Sequence, residues 1–166
     1  TGPIAWSSKK QGMVTLSSTE SEYVAATLAA QQLVWTRSLL EACGFSSIHP
    51  ISNRPIPTTL YCDNTAAITL AGNHSKVSQR TKHINVRYHF IRMCVADGTV
   101  QLKWVSTNEQ IADILTKPLG PNLFHRLRPA LMGTVEHKVN GHKREWSIDS
   151  IGVGRYQGST TDSSFF

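Results

Sequence analysis

The sequence predicts an α/β domain of the α+β kind, and three observations predict it. Thr58-Thr-Leu-Tyr-Cys62 and Thr99 to Val105 are short runs rich in β-branched and aromatic residues, as strands are. A long Ala- and Leu-rich stretch follows a helix-start signal at Ser17. Strand-like and helix-like segments also alternate along the chain rather than forming separate blocks. The chain has 166 residues, 40% of them hydrophobic, which suits one core-bearing domain with an appended tail.

Taken in order, Ile4-Ala-Trp-Ser-Ser8 alternates apolar with polar and predicts a short strand ending at Lys9-Lys10. Met13 to Leu16 is an extended lead-in. Ser17 and Glu20 have the spacing of a capping box, so a helix is expected from there to about Ala42, stopped by Gly44. Pro50, Pro55 and Pro57 mark residues 46–57 as loop. After the Thr58–Cys62 strand, Asp63-Asn64 is placed to cap a short helix from Thr65 to Ala71, closed by Gly72. A basic segment runs from Lys76 to Met93 and is expected to be partly helical. Asp97-Gly98 is a turn before the Thr99–Val105 strand. Thr107 to Gln110 has capping-box spacing, which predicts a helix to Leu115 ahead of Pro118. Asn122 to Met132 forms one more short amphipathic helix. Residues 134–166 are rich in Gly, Ser and Thr and read as a weakly ordered tail or an appended hairpin.

Charge separates the same two parts. Residues 134–166 hold four Lys/Arg and four Asp/Glu, so residues 1–133 carry the whole net charge of +6. A basic body suits a polyanionic partner, nucleic acid first among them. Cys43, Cys62 and Cys94 are too few and too scattered for a disulfide framework, and read as small buried hydrophobes in a reducing compartment. No apolar run approaches the roughly 20 residues of a membrane span, and the first residues do not have the form of a signal peptide.

Four of the seven acids in the basic body, Glu20, Glu22, Asp63 and Asp113, fall at element edges. Glu20 is explained as the capping partner of Ser17. Glu22 lies about 200° further round the helix, on the face continued by Ala26, Ala29, Leu33 and Leu40. It is therefore either an acid at the edge of the core or a plain surface Glu. Asp63 suits an N-cap and Asp113 the positive end of a helix dipole. Scarce acids concentrated at one place in a basic protein also suit a nuclease that holds hard divalent cations and a phosphate backbone.

The ordered motifs favour the second role. Trp6-Ser-Ser-Lys-Lys-Gln11, Leu16-Ser-Ser-Thr-Glu-Ser-Glu-Tyr-Val-Ala-Ala26, Leu60-Tyr-Cys-Asp-Asn64, Arg80-Thr-Lys-His-Ile84, Tyr88-His-Phe-Ile-Arg92 and Val105 to Lys117 follow one another at fixed order and spacing. Together they resemble the RNase H region of copia-type LTR retrotransposon Pol polyproteins, over about residues 2–131. The resemblance implies an RNase H-like mixed sheet of five strands flanked by helices. It also implies cleavage of RNA in RNA–DNA hybrids by two-metal catalysis with Mg²⁺ or Mn²⁺. Glu22, Asp63 and Asp113 match the second, third and fourth of the family's four catalytic, metal-holding carboxylates. On this alignment Thr1 falls at the third strand. The first two strands, with the first Asp, are expected to be missing, so residues 1–133 would form a partial domain that cleaves poorly or not at all.

The resemblance further implies contacts to the hybrid from Ser18 and Thr19 at the helix start and from Lys76, Arg80, Lys82, His83 and Arg87 in the acid-free basic segment. The parent polyprotein's reverse transcriptase would be a partner. The location would be intracellular, in a cytoplasmic virus-like particle or the nucleus. An alternative reading is a remnant that binds nucleic acid or protein without cutting. A retroviral-type integrase is excluded by the order of the acids, Glu, Asp, Asp, where integrases have Asp, Asp, Glu. The histidines with Cys62 and Cys94 lack any paired C-x₂-C or H-x₃-H unit, which argues against a zinc site of that kind.

Overall fold

A computed structural model describes residues 3–12, 14–46, 48, 53–72 and 89–134, and the backbone of strand pieces at 138–139, 142–143 and 150–152. The longest element is helix α1, Ser18–Ala42. Both of its ends follow the local chemistry. Ser17 Oγ accepts from the Glu20 N–H at 3.2 Å, and Glu20 Oε2 accepts from the Leu16 N–H at 2.8 Å. The capping box is thus closed one residue further back than in its usual form. At the other end the Gly44 N–H donates to Glu41 O and the Phe45 N–H to Leu40 O. This is a Schellman closure, and Gly44 takes the φ of +89° that it requires.

Strand β1 (Thr58–Cys62) leads into helix α2 (Thr65–Gly72). Helix α3 (Phe90–Ala96) turns at Gly98, with φ +79°, into strand β2 (Val100–Trp104). β1 and β2 are parallel, in register from Thr58 opposite Val100 to Cys62 opposite Trp104. Helix α4 (Pro121–Leu131) starts with Pro121, whose missing N–H costs nothing in the first turn. In the C-terminal part, β3 (Lys138–Val139) and β4 (His142–Lys143) pair antiparallel. β5 (Ser150–Gly152) adds to the free side of β1 as a parallel strand, giving the sheet order β2-β1-β5.

The core lies where α1 crosses the sheet. Along β1, Thr58, Leu60 and Cys62 are buried while Thr59 and Tyr61 are half-buried, the period of two that sets one face against a helix. From α1, Tyr23, Val24, Ala26, Ala30 and Leu33 fill the other side, with Ile91 and Cys94 of α3 beside them. The small residues at 26 and 30 let the helix approach the strand closely. Arg37 of α1 donates to Ile56 O and Thr58 Oγ1, both at 2.7 Å, fixing the entry to β1. No described helix is long and apolar enough to cross a membrane.

Three expectations are corrected. Residues 4–8 form no strand, since no described segment offers them a ladder, and Ile4 and Trp6 stay about 70% exposed. Their stretch is held instead by Ser8 Oγ donating to Leu115 O and by Gln11 Nε2 donating to Ser21 O. The segment after β2 is not an α-helix but two 3₁₀ turns, Thr107–Glu109 and Ile111–Leu115. Gln110 between them is extended, and the Thr107 hydroxyl donates to Asp63 instead of capping. Among the described residues, the strands paired with β1 run parallel to it. Cys43 is exposed at the end of α1, whereas Cys62 and Cys94 are buried as expected.

The contrast between Leu60 and Trp6 can be tested. Leu60 is fully buried, so Leu60→Ala should cost about 2–5 kcal/mol in urea unfolding. Trp6→Ser should change stability by no more than about 0.5 kcal/mol. Equal effects of the two substitutions would contradict the placement of the core.

Candidate metal centre

The candidate site forms at the carboxyl ends of β1 and β2, where parallel sheets present their loops. The strand alternation that buries Leu60 also turns Cys62 toward α1, leaving Asp63 as the first residue beyond the strand. The Cys62 carbonyl accepts from the Val105 N–H at 3.1 Å, so β2 pins this end. Asn64, not Asp63, caps α2: its Oδ1 accepts from the Ala67 N–H at 3.0 Å. The Asp63 carboxylate is therefore not used in capping, and its Oδ2 accepts from Thr107 Oγ1 at 3.2 Å.

Glu22 comes from the opposite side. One turn into α1, on the face that continues through Ala26 and Leu33, it is 3% exposed. Of its two sequence readings, the acid at the core edge is the one observed. Ligand atoms of Glu22, Cys62 and Asp63 all lie within 4.8 Å of one another. Two of the three expected carboxylates thus converge, and Cys62 joins them. Sequence reasoning missed Cys62, although its position directly before Asp63 on the buried face of a strand was the available signal.

Asp113 does not join that group. It sits in the second 3₁₀ turn, 1% exposed, and its Oδ2 accepts from Lys117 Nζ at 2.8 Å. The adjacent Gln110 is fully buried and its Nε2 donates to Tyr61 O at 3.4 Å, tying this turn to β1. Asp113 thus stands on an element docked beside the site, with a cation already on one oxygen.

The residues expected to meet nucleic acid divide into two sets. Ser18 is exposed and Thr19 half-buried, in the first turn of α1 beside Glu22. Lys76, Arg80, Lys82, His83 and Arg87 lie outside the described residues. Arg92, the last cation of the basic run, turns inward: its Nε donates to Leu70 O at 3.0 Å. Tyr23 Oη and His89 Nδ1 share a 2.9 Å hydrogen bond beside it. Burial raises the Tyr23 pKa, with Arg92 opposing, and burial followed by Arg92 lowers that of His89. This cluster joins α1 to α3.

Burial pushes the Cys62 thiol up to about 12, with the Glu22 and Asp63 carboxylates adding to the shift and the Asn64 carbonyl opposing it. Burial likewise pushes Cys94 up to about 11. Both thiols therefore stay protonated at neutral pH, when they are poor nucleophiles. In the unfolded chain they ionise near 9.0, so stability from these groups is intact below pH 9 and is lost as pH rises toward 11–12. At pH 8, iodoacetamide should label Cys43 quickly and reach Cys62 and Cys94 only on unfolding. Rapid native labelling of Cys62, mapped by mass spectrometry, would contradict the burial described.

No protein-family model matches the chain, and no solved structure matches it. Curated proteins do. Over 123 residues, 74% of this chain, it is 42% identical to the retrovirus-related Pol polyprotein from transposon TNT 1-94 of Nicotiana tabacum. Over 125 residues it is 46% and 43% identical to the corresponding polyproteins from transposons RE2 and RE1 of Arabidopsis thaliana. The chain spans only 8–9% of the length of these relatives. It is homologous, over about three quarters of its own length, to a segment of the retrovirus-related Pol polyproteins of copia-type transposons.

Proposed function

We propose that the chain is the RNase H-type nuclease region of a retrotransposon Pol polyprotein, acting on RNA paired with DNA. The observation that carries this reading is the meeting of Glu22 and Asp63 at the carboxyl end of β1, in a chain whose relatives are Pol polyproteins. The donor set fits Mg²⁺ or Mn²⁺. Such ions bind through one or two carboxylates and keep several waters, and Glu22 and Asp63 supply two. Asp113 would join them by exchanging its Lys117 contact. When bound, the ions stabilise the attacking and leaving oxygens of phosphodiester hydrolysis.

The protein's own residues have separate tasks in this reading. Glu22, held by the core packing of α1, and Asp63, held by Thr107, fix the two carboxylates with little freedom to move. Thr107 orients Asp63 and is a positioning residue. Ser18 and Thr19 would meet the sugar-phosphate backbone next to Glu22, and Lys76, Arg80, Lys82, His83 and Arg87 would track it further along. A second reading, a segment that binds nucleic acid without cutting, is favoured by one observation: Asp113 is engaged by Lys117 and stands apart from the converged group.

Cleavage of a labelled hybrid in Mg²⁺ separates the two readings. The chain extended upstream within its polyprotein should cleave, and Glu22→Gln or Asp63→Asn should slow it by about 100-fold or more, beyond what loss of an outer-shell contact does. An extended chain that binds hybrid without cutting it would favour the second reading. Both readings expect salt-sensitive binding. The triple substitution of Arg80, Lys82 and Arg87 by Ala should weaken hybrid binding and reduce its log–log salt slope by about 3, close to one per lost phosphate contact. An unchanged slope would remove the basic segment from the interface.

A further inference from the structure

Magnesium chemistry makes no use of Cys62. Its Sγ nevertheless lies within 4.8 Å of a carboxylate oxygen of both Glu22 and Asp63, and the residue is 1% exposed. A buried apolar position on β1 requires only a small hydrophobe, which Val or Ala would supply. What Cys adds is a soft donor among hard ones. Mg²⁺ takes oxygen ligands and water and would leave the thiol protonated. Zn²⁺ and Cd²⁺ take thiolate and carboxylate together, with three protein ligands and one open position. Around a tetrahedral Zn²⁺ with ordinary bond lengths, ligand atoms lie roughly 3.5 Å apart. Side-chain rotations of about an ångström would bring the observed group to that spacing.

We propose that Glu22, Cys62 and Asp63 form a binding site for a thiophilic divalent cation, Zn²⁺ or Cd²⁺, which excludes Mg²⁺ from the same carboxylates. Binding replaces the S–H bond of Cys62 with a sulfur–metal bond, and the proton passes to solvent or buffer with no change of oxidation state. The Glu22 and Asp63 carboxylates are the groups that offset the cation's charge. The site therefore distinguishes cations by softness: a hard ion finds two ligands, a soft one finds three. The consequence for cleavage, inhibition by thiophilic ions, rests on the nuclease reading; the binding itself does not.

The test is titration of the full chain with Cd²⁺, following the ultraviolet thiolate-to-metal charge-transfer band and the protons released. One equivalent should bind, with the band appearing and one proton leaving per ion. Cys62→Ser should abolish the band, and Cys43→Ser should keep it. Glu22→Gln, which retains the thiol, should weaken Cd²⁺ binding by more than about tenfold. Excess Mg²⁺ should raise the apparent Kd for Cd²⁺. A band that survives Cys62→Ser would overturn the proposal, as would Glu22→Gln and Asp63→Asn variants that bind Cd²⁺ as tightly as the unsubstituted chain. If circular dichroism shows Cys62→Ser to be unfolded, the two carboxylate variants decide the matter. Because the readout is a spectrum of the resting protein, failure to cleave hybrid and failure to bind Cd²⁺ are separate results.

Discussion

The packing of α1 across β1 constrains everything else in the molecule. β1 has five residues, and three of them, Thr58, Leu60 and Cys62, are buried under the helix. The facing stripe of Tyr23, Ala26, Ala30 and Leu33 sets the rotation of α1 about its axis. Once that rotation is set, Glu22 has only one direction to point, because it shares the buried face. The carboxylate is thus placed by apolar burial, each buried aliphatic side chain being worth about 1.5–3 kcal/mol. A surface loop carrying the same Glu would have no comparable restraint.

The site also shows how neighbouring residues divide work between structure and chemistry. At the end of β1, Asn64 caps the next helix, Asp63 faces the site, and Cys62 faces the core. These are three consecutive residues with three orientations. They follow from the change from strand to helix, which rotates each side chain away from the last. Thr107 and Gln110 make a similar division on the facing turn, one reaching Asp63 and the other the backbone of Tyr61.

Much of this was legible in the sequence, for local reasons. α1, β1, α2, β2 and α4 follow from caps, glycine stops and alternation, all short-range signals. Glu22 and Asp63 were picked out by motif order, and Glu22 also by the helical face it shares with Ala26 and Leu33. Three features depended on distant partners and were not legible. The alternation of residues 4–8 predicts a strand, but a strand needs a neighbour, and no described segment provides one. The capping box at Thr107 was diverted because Asp63, 44 residues earlier, claimed its hydroxyl. The approach of Cys62 to Glu22 and Asp63 is a tertiary fact, and the sequence offered Cys62 only as a buried small residue or as a partner of Cys94 and the histidines.

The three-residue pairing of β5 with β1 has a consequence for the order of folding. Its register joins Thr59 to Ser150 across about 90 residues, so closing that loop costs roughly 4 kcal/mol of chain entropy on the logarithmic scale. A few ladder hydrogen bonds at about 0.5–1.5 kcal/mol each barely offset this cost. The β1–β2 pair spans less than half that separation and has five residues in register. The third strand is therefore the last to join the sheet and the first to leave. In native-state hydrogen exchange the amides of residues 150–152 are expected to exchange through a sub-global opening distinct from that of the unit built on α1 and β1. The sheet consequently has two tiers of cooperativity, a permanent pair and a lodger.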